Sequence, residues 1–214
     1  MNGIFITGSN TEVGKTTVAV EIARRLNVDR KVSVRKPVET DCPIVAGKQA
    51  PKDALALSEA CGDFEPLSVI CPYCFSLEAS AEMASIEVGE TLTLDMLTDA
   101  CNNGVGDNFA LVEGAGGFYS PIATNVLNAD LASALNLPLV IVVRDELGAI
   151  SQALLAIDAA LKYNLRVACV VLNQIEANTL SNVEALKAYT KVPLISFSLL
   201  DLERFWVDIE DLIQ

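Results

Sequence analysis

The sequence predicts an α/β fold, a mostly parallel sheet with helices on both faces, built as a single domain over residues 1–214. Three observations predict it. Apolar, β-prone runs alternate with helical patterns along the whole chain. The first of them, GIFIT, is continuously apolar, as a buried parallel strand is. Between that strand and the next helical pattern lies a glycine- and lysine-bearing stretch, GSNTEVGKTT at 8–17.

In chain order, strands are expected at 3–7, 32–37, 109–113, 138–143, 167–173 and 193–197. Helices are expected at 16–27, 53–61, 93–102, 149–163 and 180–190, with a short last one at 202–213. The first helix shows Val18, Ile22, Ala23 and Leu26 at helical spacing. The segment 39–52, ETDCPIVAGKQAPK, reads as a loop, long enough to serve an active site. In sheets of this kind ligands bind beyond the carboxyl ends of the strands.

Composition narrows the function classes. Hydrophobic residues make up 51% of the chain, too many for a disordered one. The apolar run LPLVIVV at 137–143 is far shorter than the ~20 residues a membrane helix needs. MNGIFITGSN carries no basic leader, so a cytoplasmic protein is expected. A net charge of −13 opposes broad contact with nucleic acid or an anionic membrane. The six cysteines do not read as a disulfide framework. Cys71 and Cys74 have C-x-x-C spacing, but no second pair completes a zinc site, and they read as free thiols in a reducing compartment. The absence of histidine excludes Ser-His-Asp, Cys-His and His-based metal chemistry together.

The stretch at 8–17 has the context of a phosphate-binding turn. Gly14 lets the backbone approach a ligand, and the amides opening the helix point at an anion. Lys15 then reaches the terminal phosphates and Thr16 ligates Mg²⁺, as in a P-loop NTPase. The spacing is one residue longer than usual, with five residues between Gly8 and Gly14 and Ser9 where the first glycine belongs. Other polar residues sit at strand ends. Lys36, before Pro37, is either a solvated charge or a second cation for phosphate. FALVEGAGG ends an apolar strand at Glu113, where Walker-B-type proteins hold Mg²⁺, and Gly114, Gly116 and Gly117 let backbone pass close to a ligand. Asp53, at a helix start, is either an N-cap or a second acidic group for the metal.

In this order GSNTEVGKT, Lys36-Pro37-Val38, DALAL from Asp53 and VEGAGG from Val112 resemble the dethiobiotin synthetase family, over residues 3 to 175. That family's own phosphate loop has the expanded spacing. The resemblance implies an enzyme that uses ATP, Mg²⁺ and CO₂ to close a ureido ring on 7,8-diaminopelargonic acid. One amine captures CO₂ as a carbamate, ATP phosphorylates it, and the second amine attacks the mixed anhydride. It implies Lys15 and Lys36 as catalytic cations and Thr16, Asp53 and Glu113 as metal ligands. Glu12, Val13, Gly14, Lys15, Thr16, Thr17, Asp53, Glu113, Gly114, Ala115 and Gly116 would line the nucleotide, with Asn173 at the adenine. Thr11, Lys36, Thr40 and Gly117 would face the substrate. Gly148, Ala149, Ile150 and Ser151 would hold its carboxylate tail from a neighbouring subunit, making a homodimer. The stretch ISFSLLDLERFWVDIEDLIQ lacks the family's proline-bearing segment and longer tail, which leaves base preference open.

Two rivals share the ATP-binding motif. Amidotransferase-type synthases need a glutaminase domain with a Cys-His pair, for which this chain has neither length nor histidine. Partition ATPases of the ParA and MinD kind carry a signature lysine where Asn10 stands, and the acidic DLERFWVDIEDLIQ does not suit an anionic membrane.

Overall fold

The computed structural model describes residues 1–213. Six strands form one sheet: β1 (Gly3–Gly8), β2 (Val32–Arg35), β3 (Phe109–Gly117), β4 (Leu139–Arg144), β5 (Val167–Asn173) and β6 (Leu194–Phe197). They are ordered β6-β5-β4-β1-β3-β2, and each neighbouring pair is parallel. The expected α/β architecture is therefore the observed one.

Period-two alternation along these strands feeds two apolar layers. Ile4, Ile6, Leu111, Val140, Val142, Cys169 and Val171 pack on one face. Phe5, Val112, Leu139, Ile141, Val143, Val170 and Leu172 pack on the other. The first face is covered by α1 (Lys15–Leu26), α2 (Lys52–Ala60), α3 (Leu67–Ile70) and the late helix α9 (Leu202–Ile209). The second is covered by α4 (Ala81–Glu87), α5 (Leu94–Asn102), α6 (Asn128–Leu135), α7 (Ala149–Lys162) and α8 (Asn182–Leu186). The handedness of crossovers explains the division. From β1 the chain steps outward to β2 past α1, then returns past α2, α3, α4 and α5 to β3 and on, beyond β1, to β4. Reversing the direction of travel puts right-handed crossovers on the opposite face. The reversal leaves a crevice at the carboxyl ends of β1 and β3, where ligands bind in such sheets.

Several expected boundaries move. The strand expected at 32–37 stops at Arg35, because Pro37 cannot donate to a ladder and the Lys36 amide bonds instead to Ile70 O at 2.9 Å. Val38–Glu39 then pairs with Tyr73–Cys74 outside the main sheet. The strand expected at 109–113 continues to Gly117, which pairs with Gly8 after a register shift. The loop at 39–52 contains a small hairpin, Ile44–Val45 with Lys48–Gln49, turning through Ala46 and Gly47 at φ 50° and 77°. The helix expected at 180–190 shrinks to Asn182–Leu186, and the last expected helix divides into α9 and the 3₁₀ turn Glu210–Leu212. Helices α3, α4 and α6 were not expected. The buried face of α4 is Ala81, Ala84 and Ser85, small residues that give a weak apolar period. Among the described residues no helix is long and apolar enough to cross a membrane.

Candidate active site

The phosphate-loop sequence forms a tight connection between β1 and α1. Gly14 takes φ 84°, and a Cβ there would lie 2.0 Å from the Asn173 side-chain nitrogen. Only glycine meets both demands. The Asn173 amide donates to Val13 O at 2.9 Å, tying the loop to the end of β5. Lys15 is buried, and its Nζ donates to Asn10 O at 3.0 Å. Burial, reinforced by repulsion from Lys36, lowers its ammonium to about 8.

Lys36 is buried at 2% exposure and is the hub of the site. Its Nζ lies 2.5 Å from Glu113 Oε1, 2.8 Å from Asp53 Oδ2 and 3.3 Å from Gly114 O. Burial alone would lower its ammonium, but the two carboxylates outweigh burial and hold it above the usual lysine range. Asp53 is correspondingly held below the carboxylate range: burial opposes this and Lys36 overrides it. Glu113 belongs to the Phe109, Leu111 alternation of β3 and so faces α1, where the Thr16 hydroxyl donates to its Oε1 at 2.8 Å. Thr16, Asp53 and Glu113 are thus gathered around one ammonium.

That set suits a hard cation. Glu113 Oε2 is buried without a hydrogen-bond partner, and a buried carboxylate oxygen is costly to leave so. One hydroxyl and two carboxylates also match how proteins hold Mg²⁺, through few protein ligands with phosphate oxygens completing the shell.

Glu39 was not anticipated. The N-terminus of α2 has no side-chain cap of its own, with Pro51 at the cap position. Glu39 supplies the cap from 14 residues upstream, accepting from the Asp53 and Ala54 amides at 3.0 Å each. It therefore fixes the first turn of the helix that carries Asp53. Burial and the neighbouring Asp53 raise its own carboxyl. Glu39→Ala is expected to cost about 0.5–2 kcal/mol, as losing a cap does, and to weaken binding of ATP with magnesium. Thermal unfolding beside nucleotide titration checks both effects. Unchanged nucleotide affinity would make the cap purely structural. Asn128, also unanticipated, is fully buried and braces the end of β3. Its Oδ1 accepts from Ala115 N, and its Nδ2 donates to Ala115 O and Gly117 O. Gly114 leaves room for it, since a Cβ there would sit 2.7 Å from Asn128 Oδ1.

A cleft of ≈ 770 Å³ opens over these groups, and Thr11, Glu12, Gly14, Lys15, Thr16, Thr17, Lys36, Thr40, Asp53, Ala115 and Gly116 line it. Glu39, Asp41 and Lys52 line it too, from the loop at 39–52 expected to serve an active site, and so does Glu78, which was not anticipated. Buried Glu113 lies beneath, joined through Thr16 and Lys36. Asn173 and Thr17 border an adjoining cavity of ≈ 420 Å³ with Ile175, Ser198 and Leu200. Val13, Gly114 and Gly117 support the loops and do not line the cleft. The turn bearing Gly148, Ala149, Ile150 and Ser151 lies outside the cleft as well, reached from the phosphate loop by a 2.8 Å hydrogen bond from Ser9 Oγ to Gln152 Oε1.

A family model described as an AAA domain matches residues 2–197. The ATP-dependent dethiobiotin synthetase BioD of Vesicomyosocius okutanii subsp. Calyptogena okutanii (strain HA) is 49% identical over 213 residues, covering 100% of this chain and 97% of its own. The chain belongs to the ATP-dependent dethiobiotin synthetase family. A second family member, the synthetase of Ruthia magnifica subsp. Calyptogena magnifica, is 49% identical over 198 residues, 92% of each chain. Among solved structures, a plasmid partition protein from Borrelia burgdorferi covers both chains fully with a TM-score of 0.62 at 12% identity. A ParA family ATPase from Chlorobium tepidum TLS covers 99% of this chain and 92% of its own with a TM-score of 0.56 at 12% identity. These two share the P-loop fold with the dethiobiotin synthetases and nothing narrower. In the folded phosphate loop five residues separate Gly8 from Gly14, and residue 10 is asparagine.

Proposed function

We propose that this chain works as its family does, using ATP to join CO₂ to 7,8-diaminopelargonic acid and close the ring of dethiobiotin, a step of biotin formation. It is a ligase that makes C–N bonds as ATP becomes ADP and phosphate. One observation carries the reading: Lys15, Thr16, Lys36 and Asp53 line a single cleft, and Glu113 lies beneath them, bonded to Thr16 and Lys36.

The chemistry needs that convergence more than it needs an acid–base side chain. A carbamate is an anion, and it must approach the anionic γ-phosphate of ATP. Lys36 holds the carbamate and the phosphoryl group in transfer, and Lys15 stabilises the γ-phosphate. Thr16, Asp53 and Glu113 would hold Mg²⁺, which supplies charge neutralisation on the phosphate oxygens when bound. Glu12, Gly14, Lys15, Thr16, Thr17, Ala115 and Gly116 cradle the nucleotide, with Val13, Glu113 and Gly114 supporting them from behind and Asn173 beside the base. Thr11 and Thr40 position the carbamate and amine end, with Gly117 behind them. The carboxylates of Glu39, Asp41 and Glu78 in the same cleft suit a substrate with two amines.

The active form is a homodimer in which residues 148–151 of a neighbouring subunit receive the substrate carboxylate at the N-terminus of α7. Supporting this, Leu147, Leu155 and Leu161 on and before α7 are exposed at 89%, 67% and 59%. The described chain acts as one catalytic domain. Its six cysteines are all free, which fits the reducing cytoplasm.

Incubation with labelled bicarbonate, ATP and the diamine is expected to give labelled dethiobiotin, with phosphate release requiring both co-substrates. Phosphate released at full rate without the diamine would oppose the synthetase and favour a nucleotide-gated switch.

A further inference from the structure

Three of the cysteines lie together behind the wall of the cleft. Cys71 follows α3 and is buried; Cys74, three residues on in the short strand Tyr73–Cys74, is half-buried; their sulfurs are 3.5 Å apart. Cys42 is buried beside them, its thiol donating to Glu39 O at 3.4 Å. We propose that Cys71 and Cys74 form a reversible disulfide that weakens the ATP site by shifting Lys36 against Glu39.

The backbone makes the connection. Ile70, next to Cys71, accepts the Lys36 amide at 2.9 Å. Cys74 is the ladder partner of Glu39, and Phe75 N donates to Glu39 O at 2.9 Å. The two thiols therefore sit between the anchors of the cationic hub and of the residue that caps Asp53's helix. Closing 3.5 Å to a bond of about 2.05 Å locks the segment 71–74 that joins the two anchors into a single geometry. Cys74, nearer solvent, is the first to react and Cys71 is the resolving thiol. Hydrogen bonding from Cys71, assisted by Cys42, holds the Cys74 thiol below its usual range against burial and Glu39. Burial pushes the thiols of Cys42, Cys61, Cys101 and Cys169 up to about 12, and the hydrogen bond with Cys74 raises that of Cys71, which leaves Cys74 the first to react. The three clustered thiols are not arranged as a metal site among the described residues.

The oxidant is a low-molecular-weight disulfide, RSSR. The Cys74 thiolate attacks one sulfur, breaks the RS–SR bond and releases RS⁻, which takes a proton. Cys71 then loses its proton and attacks Cys74 Sγ, expelling the second RS⁻. The protein gives up two electrons and two protons, and the oxidant leaves as two RSH.

The coupling rests on the ATP site proposed above; the link itself does not. The full chain is equilibrated with oxidised and reduced glutathione at defined ratios and then mapped by peptide mass. The expected product is a peptide carrying a 71–74 link, two hydrogens lighter and restored by dithiothreitol. ATP affinity in magnesium is expected to fall about fivefold or more in the linked form. Cys74→Ser and Cys71→Ala each keep the reduced affinity in oxidant, and Cys42→Ser still responds. Absence of the link in excess oxidant would overturn the proposal, as would a link that leaves ATP affinity unchanged or a Cys74→Ser protein that still responds. ATP binding by the reduced protein tests the site reading separately.

Discussion

Lys36→Ala is expected to lose at least ~100-fold in turnover and to destabilise the fold by about 3–5 kcal/mol. The two losses have different origins. Turnover falls because the cation that faces the developing charge is gone. Stability falls because Glu113, with no exposure, keeps a charge that nothing else neutralises except the distant Lys15. The pair spans 77 residues of sequence, from the end of β2 to the middle of β3, so its loss also loosens two strands. Steady-state kinetics and thermal unfolding on the same preparation separate the effects. Turnover that stays normal while stability drops would take Lys36 out of the chemistry and leave it a structural ion.

Lys15→Ala is expected to lose a comparable ~100-fold or more in turnover with no loss of stability. Here, among the described residues, the ammonium has no carboxylate at bonding distance; it donates instead to Asn10 O. Burial and the neighbouring Lys36 both oppose its charge. Removing it relieves that repulsion, so the variant should unfold at the same temperature or higher while ATP fails to stabilise it. A marked drop in stability without nucleotide would show that Lys15 braces the fold. The contrast between the two lysines is diagnostic, because a simple loss of positive charge would affect both proteins alike.

Much of this site is visible in the sequence because its signals are local. Strand, glycine turn and helix follow one another within residues 3–26, and the spacing of Gly14, Lys15 and Thr16 is read without tertiary knowledge. Glu113 is legible for a similar reason: a carboxylate closing the apolar run FALV contrasts with everything before it. The family resemblance rests on the same short segments. Where the local signal is weak the reading fails, as at α4, whose buried face is small residues, and at β2, whose last expected residues are claimed by α3.

The chain's own order of residues determined the alternation of strand and helix, the phosphate loop and the identity of the charged groups at the strand ends. Only the tertiary structure decided that Lys36 holds Asp53 and Glu113 at once, that Glu39 rather than a local residue caps α2, that Asn128 braces β3, and that Cys42 joins Cys71 and Cys74. The reason is range. Helix and turn preferences act over a few residues, whereas these contacts join residues 11 to 77 apart in the chain. Their meeting is set by crossover handedness and by strand order, which no short window of sequence contains.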